Sequence, residues 1–158
     1  MGFEIERKFL IDHHKLQLDS CLDVFSIRQG YISQDPNRVV RIRKKNEKAF
    51  LTIKGKNVGY KRLEMEYEIP IEDATQLFEI CCPHLIEKKR YLFEVGKHTW
   101  EIDCFSGANL GLWLAEIELS SEDEVFERPS WITEEVSSDH RYSNSYLSQN
   151  PYTKWTKQ

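Results

Sequence analysis

Glu4-Ile5-Glu6-Arg7-Lys8-Phe9-Leu10 alternates in the period of two that an extended strand imposes on its side chains. Read as a strand, the stretch puts Glu4, Glu6 and Lys8 on one face and Phe3, Ile5 and Phe9 on the other. Two carboxylates two residues apart on one face repel each other unless a cation lies between them. A divalent metal held by oxygen ligands is one such cation. The same alternation, with charge on one side and apolar bulk on the other, recurs down the chain.

Residues 24–33 read as a strand carrying Arg28 and Tyr31, and Asp35-Pro36-Asn37 as a turn. In 38–45, Val40 and Ile42 oppose Arg41 and Arg43; in 49–54, Leu51 and Ile53 oppose Thr52 and Lys54. The clearest alternation is 62–69, where Leu63, Met65, Tyr67 and Ile69 oppose Arg62, Glu64, Glu66 and Glu68. Further strands are expected at 85–95 with Lys88 and Arg90, at 98–105 with Glu101 and Asp103, and at 112–119 with Glu116 and Glu118. Gly96-Lys97 is a hairpin signal between the first two of these. Ala74, Leu77, Phe78 and Cys81 recur at helical spacing, and Pro83 is expected to end that helix. Short helices are also expected over 13–21 behind Asp12, after Ser121, and over 139–149. With no repeat and no linker, residues 1–158 read as one antiparallel β domain with helices around it.

Composition sets the bounds. The chain is long enough for one domain with a real core. Its net charge of -4 argues against a general nucleic-acid binder, which shows a basic excess. No apolar run approaches the length of a membrane span, and no signal-peptide pattern is seen, so a cytoplasmic protein without a membrane partner is expected. Cys21, Cys81, Cys82 and Cys104 have neither CxxC nor zinc-ligand spacing and read as reduced, mostly buried thiols.

A half-buried sheet also alternates, so each charged face could simply be the solvated side. Two features point inward instead. The charges come as same-sign pairs within a strand: Glu4/Glu6, Glu64/Glu66, Glu101/Asp103 and Glu116/Glu118, against Arg41/Arg43 and Lys88/Arg90, with Lys8 and Lys54 added. The opposite faces carry Phe3, Met65, Trp100 and Trp113 and have a core of their own to make. If the sheet curls into a barrel with helices outside, the charged faces line its lumen. Such a lumen is tenable only if water and ligand occupy it, because isolated buried charges are too costly. Carboxylates for a metal and guanidinium forks for phosphate oxygens together suit a polyphosphate chelating a divalent ion.

These residues resemble the CYTH domains, the triphosphate tunnel metalloenzymes. Glu4-x-Glu6-x-Lys8 is similar to the family's ExExK signature. The likeness continues in order through Arg41-x-Arg43, Thr52-Ile53-Lys54, Glu64/Glu66, Glu87-Lys88-Lys89-Arg90-Tyr91, Trp100-Glu101-Ile102-Asp103, Ala115-Glu116-Ile117-Glu118-Leu119 and Asp139-His140-Arg141-Tyr142-Ser143-Asn144. The resemblance implies an α+β, mainly antiparallel fold: an eight-stranded closed β-barrel with peripheral helices. It implies that Glu4, Glu6, Glu116 and Glu118 hold Mg2+ or Mn2+, and that Glu64, Glu66 and Asp103 hold a second metal or position the attacking water. Lys8, Arg41, Arg43, Lys54, Lys88 and Arg90 would grip phosphates, with Arg141 reaching the tunnel mouth. A homodimer is implied by the same likeness.

The expected activity is metal-dependent hydrolysis of inorganic tripolyphosphate, with nucleoside and thiamine triphosphates as further substrates of that class. An adenylate cyclase of the class IV type would need an adenine pocket, for which no sequence feature is seen. A non-catalytic polyphosphate-binding module could dispense with the carboxylate pairs, which this chain keeps. Tyr31 and Tyr91 are left open between lumen and packing, His13 and His14 read as surface residues at a helix start, and His84, His98 and His140 have no partner at metal-ligand spacing.

Overall fold

In the computed structural model, which describes residues 2–81 and 84–155, alternation is turned into a continuous antiparallel sheet. Its strands are β1 (Gly2–Ile11), β2 (Asp23–Ser33), β3 (Arg38–Lys45), β4 (Lys48–Gly55), β5 (Lys61–Ile69), β6 (Ile86–Val95), β7 (His98–Phe105), β8 (Trp113–Glu118) and β9 (Ile132–Glu135). They lie in the order β5-β4-β3-β2-β6-β7-β8-β1-β9, and β1 also pairs with β5. That pairing closes an eight-stranded barrel, with β9 as one extra strand. β1 serves as the seam: Gly2–Ile5 pair with β5, Glu6–Leu10 with β8, and Phe9 and Ile11 with β9.

Three apolar clusters hold the barrel. The largest lies on its outside, where Phe9, Trp100, Ile102, Ala115 and Ile117 are covered by Trp131, Phe126 and the connection leading to β9. Trp100 meets Trp131 edge-on at 5.3 Å and Phe9 at 5.6 Å between ring centroids, a preferred aromatic geometry. A second cluster packs α1 (Ile71–Phe78) onto the outer face of β3 and β4 through Ile42, Ala49 and Ala74. Close approach there depends on Gly30, where an added Cβ would stand 2.7 Å from Cys81 Cβ and from Leu85 Cδ2.

The third cluster lies inside. Ile86, Phe105, Leu112 and Leu114 pack with Leu147 of α2 (Asn144–Gln149), partly ringed by Leu10, Tyr142 and Trp155. Leu10, Leu114 and Ile86 continue the same faces as Lys8, Glu116 and Lys88, because strand side chains share a face every second residue. One end of the lumen is therefore an apolar floor, and the remainder is charged.

The helices depart most from expectation. Residues 13–21 form two 3-10 turns, His13–Lys15 and Leu18–Ser20, and the segment after Ser121 is irregular. The expected helix over 139–149 is a 3-10 turn at His140–Tyr142 followed by α2. Ser143 is extended (φ -74, ψ 147), and its Oγ accepts from Tyr146 N, so a serine cap separates the two. β9 lies in a stretch after Pro129 for which the sequence gives no strand signal. Cys82 and the stop at Pro83 lie outside the described residues. Among the described residues no helix is long and apolar enough to cross a membrane.

Candidate active site

The inner faces of the strands enclose a chamber of about 280 Å3. Past Ser143 and Ser145 it continues into a vestibule of about 820 Å3 that shares Glu4, Glu6, Lys8 and Arg62 with it. Every expected site residue except Asp103, Lys88 and Arg141 lines the chamber. Cross-strand register explains its chemistry. Lys8 faces Glu116, Lys54 faces Glu64 and Arg90 faces Asp103, so three bases meet acids directly. Glu6 faces Glu118 and Glu101 faces Glu116, two like-charge pairs of the kind that destabilise a sheet unless a cation intervenes.

The basic wall rests on Asp103. Its Oδ2 accepts from Lys88 Nζ at 2.7 Å and from Arg90 Nη2 at 2.9 Å, and its Oδ1 accepts from Arg90 Nε at 2.7 Å. All three side chains are buried. Burial opposes ionisation of Asp103, but the Arg90 and Lys88 charges outweigh it and hold the carboxyl well below its usual range. Burial, with repulsion from Arg90 and Arg43, pushes Lys88 down to about 7. Lys88 also donates to Asn144 Oδ1 at 3.0 Å, and Lys8 Nζ donates to the Tyr142 carbonyl at 3.0 Å, tying the C-terminal segment to the lumen.

Arg41 and Arg43 project from β3. Arg41 Nη2 donates to Thr52 Oγ1 at 3.1 Å and lies 3.6 Å from Glu66, while its Nε is buried with no hydrogen-bond partner among the described residues. Thr52 Oγ1 donates in turn to Glu66 Oε2 at 3.0 Å. Arg43 Nε donates to Gln29 Oε1 at 2.7 Å. Burial, with repulsion from Arg41 and Arg90, lowers Arg43 to about 9.

On the acidic wall the trend reverses. Burial, with repulsion from Glu116 and Glu4, raises Glu6 well above the ordinary carboxylate range. Burial raises Glu4 too, with Glu64 and Glu116 adding to it against Lys54; burial and Glu4 raise Glu118. Glu116 goes the other way: burial opposes its ionisation, but Lys8 and Arg90 bring it to about 2. Lys54 Nζ stands 3.2 Å from Glu4 Oε1 and 3.8 Å from Glu64 Oε2, a positive charge placed between two carboxylates.

This donor set fits a hard divalent cation. The oxygens are carboxylates, two like-charge pairs face each other, and an ammonium already occupies a position between acids. Among the described residues no three acids converge on one point as a finished cage. A divalent cation held here would share its coordination between one or two carboxylates, water and substrate phosphates.

Three expected residues sit differently from their reading. Arg141 donates to both oxygens of Asp139, its guanidinium lies over Tyr142 and Trp155, and it faces away from the chamber. The cap at Ser143 ends the turn that carries it, so the helix that would have aimed it inward is absent. Lys88 lies behind the chamber wall with Asp103, both oxygens of which are already engaged. Gln29, Thr52 and Asn144 join the site with no role assigned to them by the sequence pattern. They are uncharged, and a search for same-sign pairs passes over them, although Gln29 and Tyr31 share a lumen face at period two. Tyr31 lines the chamber, whereas Tyr91 packs outside the barrel near Trp113.

Comparison with known proteins agrees with this geometry. The CYTH domain model matches residues 2–148. An inorganic triphosphatase of Acetivibrio thermocellus is 48% identical over 155 residues, covering 96% of this chain and 97% of that protein. An inorganic triphosphatase of Nitrosomonas europaea is 34% identical over 148 residues, covering 91% and 95%. A solved inorganic triphosphatase structure superposes with a TM-score of 0.67 at 32% identity, covering 92% of this chain and 97% of the other.

Proposed function

We propose that this chain, which belongs to the CYTH domain family, is a divalent-metal-dependent triphosphatase that hydrolyses inorganic tripolyphosphate in its barrel chamber. The observation that carries the reading is one enclosed space walled by guanidinium groups on one side and by mutually repelling carboxylates on the other. The names of the relatives support the same substrate class.

Arg41, Arg43, Arg90, Lys8 and Lys54 would bind and orient the phosphates, the forks matching pairs of phosphate oxygens. Glu4, Glu6, Glu116 and Glu118 would hold Mg2+ or Mn2+. When bound, the cation neutralises phosphate charge and acts as a Lewis acid on the phosphoryl oxygens. Glu66 is the carboxylate best disposed to orient water. Its Oε2 is steadied by Thr52, and its side chain is 42% exposed to the open space, leaving Oε1 to accept a proton from the nucleophile. Water attacks a terminal phosphorus in line, the bond from that phosphorus to the bridging oxygen breaks, and orthophosphate and pyrophosphate result. The guanidinium groups stabilise charge developing on the leaving oxygen. Glu64, which shares Lys54 with Glu4, shapes the acidic wall. Asp103 acts indirectly, by holding Lys88 and Arg90 in place.

The test is phosphate release from tripolyphosphate, ATP and thiamine triphosphate, each with Mg2+, with Mn2+ and with chelator. Metal-dependent release from tripolyphosphate is expected. Cyclic AMP from ATP, or tight tripolyphosphate binding without turnover, would each overturn the reading in favour of a cyclase or a binding module.

A further inference from the structure

Resting on the triphosphatase reading, the further inference concerns a residue that touches no carboxylate and carries no charge. Gln29 lies on β2 directly opposite Arg43 of β3 and is completely buried. Its amide is used at both ends: Oε1 accepts from Arg43 Nε at 2.7 Å, and Nε2 donates to Tyr31 Oη at 3.3 Å. Both contacts reach into the lumen, since Tyr31 and Arg43 line the chamber.

Five other cations of the lumen stand beside carboxylates, whereas Lys45 lies over the Phe25 ring and Arg62 donates to the Gly55 carbonyl. Arg41 has Glu66 at 3.6 Å, Arg90 has Asp103 at 2.7 Å, Lys88 has Asp103 at 2.7 Å, Lys8 has Glu116 at 3.9 Å, and Lys54 has Glu4 at 3.2 Å. Among the described residues Arg43 has no carboxylate within 4.0 Å, and Gln29 is its hydrogen-bond partner. A guanidinium held this way is costly by itself, because an unpaired charge out of bulk water loses solvation without a counterion. It becomes favourable when an anion arrives. An acceptor in this place could have been either a glutamate or a glutamine, which share length and fork geometry. A glutamate would neutralise Arg43 from within the wall, whereas the amide supplies the same acceptor atom without the charge.

We propose that Gln29 is a positioning residue for the triphosphate: it fixes Arg43 through Nε while leaving its charge uncompensated, so that the terminal nitrogens are reserved for a phosphate group. The same amide fixes Tyr31. Because Gln29 donates to Oη, the tyrosine's own proton is left for an acceptor other than Gln29.

The experiment compares wild type with Gln29→Glu and Gln29→Met in tripolyphosphate hydrolysis at saturating Mg2+, with thermal unfolding alongside. Gln29→Glu preserves the tether and adds the missing counter-charge. Its KM is expected to rise about tenfold or more with kcat changed less than about threefold, the loss of one charge-assisted contact. Its melting temperature should equal or exceed that of wild type, and kcat/KM should fall less steeply with salt. An unchanged KM and salt dependence in a folded Gln29→Glu overturns the proposal. Gln29→Met carries the test if the glutamate variant does not fold; it frees Arg43, so KM should again rise, and a wild-type KM refutes the positioning role. Combining Gln29→Glu with Arg43→Met should add nothing to the KM of Arg43→Met alone, and additive effects count against the mechanism. If wild type binds tripolyphosphate without turning it over, the function reading fails, and calorimetric Kd values replace KM in the same comparison. If wild type does not bind it at all, both fail.

Discussion

Replacing Asp103 by asparagine removes the carboxylate shared by two buried cations of the basic wall, Lys88 and Arg90, while changing almost nothing in shape. Lys88 and Asp103 are 0% and 1% exposed at their side chains, so little solvent screening applies. Removing one partner of a buried pair costs about 3–5 kcal/mol. Two features of the site set where in that range the cost falls. Arg90 keeps Glu101 at 3.4 Å. Lys88, lowered to about 7 in the intact site, can shed its proton at little cost above neutrality.

At pH 8 the loss should therefore be about 3 kcal/mol, or a fall in Tm of roughly 6–12 °C for a chain of this size. The pH dependence has a definite sign. A lysine whose folded pKa lies below its unfolded value binds fewer protons when folded, so its contribution to stability improves as pH rises from about 7 towards the unfolded value. In the wild type at pH 6, protonation of Lys88 beside Asp103 adds on the order of 1 kcal/mol relative to the neutral form. Asp103→Asn forfeits that increment, because without its carboxylate the lysine stays neutral in the folded chain. The loss should thus grow by about 1 kcal/mol, from about 3 kcal/mol at pH 8 to about 4 kcal/mol at pH 6. Urea unfolding at the two pH values measures both quantities. A loss below about 1 kcal/mol, or one equal at pH 6 and pH 8, would refute the view that Asp103 is an anchor for coupled cations.

Other expectations are more direct. Glu6→Gln should lower tripolyphosphate turnover roughly a hundredfold or more at saturating Mg2+, the scale of losing a key electrostatic group, as read from initial rates of phosphate release. Arg141→Ala should leave turnover within about twofold of wild type and Tm nearly unchanged, because an exposed ion pair on the far side of its turn contributes little. Leu147→Ala, which empties a fully buried position in the lumen floor, should cost about 2–5 kcal/mol in urea unfolding.

The barrel was legible because period-two alternation is dictated by backbone geometry, and a one-residue slip would have sent every charge to the wrong face. Hence Glu4, Glu6, Arg41, Arg43, Lys54, Glu64, Glu66, Arg90, Glu116 and Glu118 meet in one chamber without any local signal joining them. Two kinds of feature were not legible. Depth along a strand is invisible to a period: Lys88 and Arg90 share a face, yet Lys88 lies behind the wall, next to the apolar floor made by Ile86 and Leu147. Caps inside short helical segments are also easily misread. Ser143 looks like one more polar residue of a helix, yet its hydroxyl interrupts the helix and turns Arg141 outward. Neutral side chains such as Gln29 escape for a third reason, since their role is defined by the charge they lack.

Electroneutrality ties the two walls together. Carboxylates and cations lining the chamber are equal in number, seven of each: Glu4, Glu6, Glu64, Glu66, Glu101, Glu116 and Glu118 against Lys8, Arg41, Arg43, Lys45, Lys54, Arg62 and Arg90. A balanced chamber is stable without ligand but offers no net attraction to a polyanion. A triphosphate entering alone would meet Lys8, Arg41, Lys54 and Arg90 already engaged by acids and would leave Glu4, Glu6 and Glu118, whose ionisation is already opposed, facing further negative charge. Entry becomes favourable when those carboxylates are neutralised at the same moment, and at neutral pH a divalent cation does this more fully than a proton. The requirement for a metal thus follows from the arithmetic of the walls, with Arg43, held by the uncharged Gln29, left to meet the substrate.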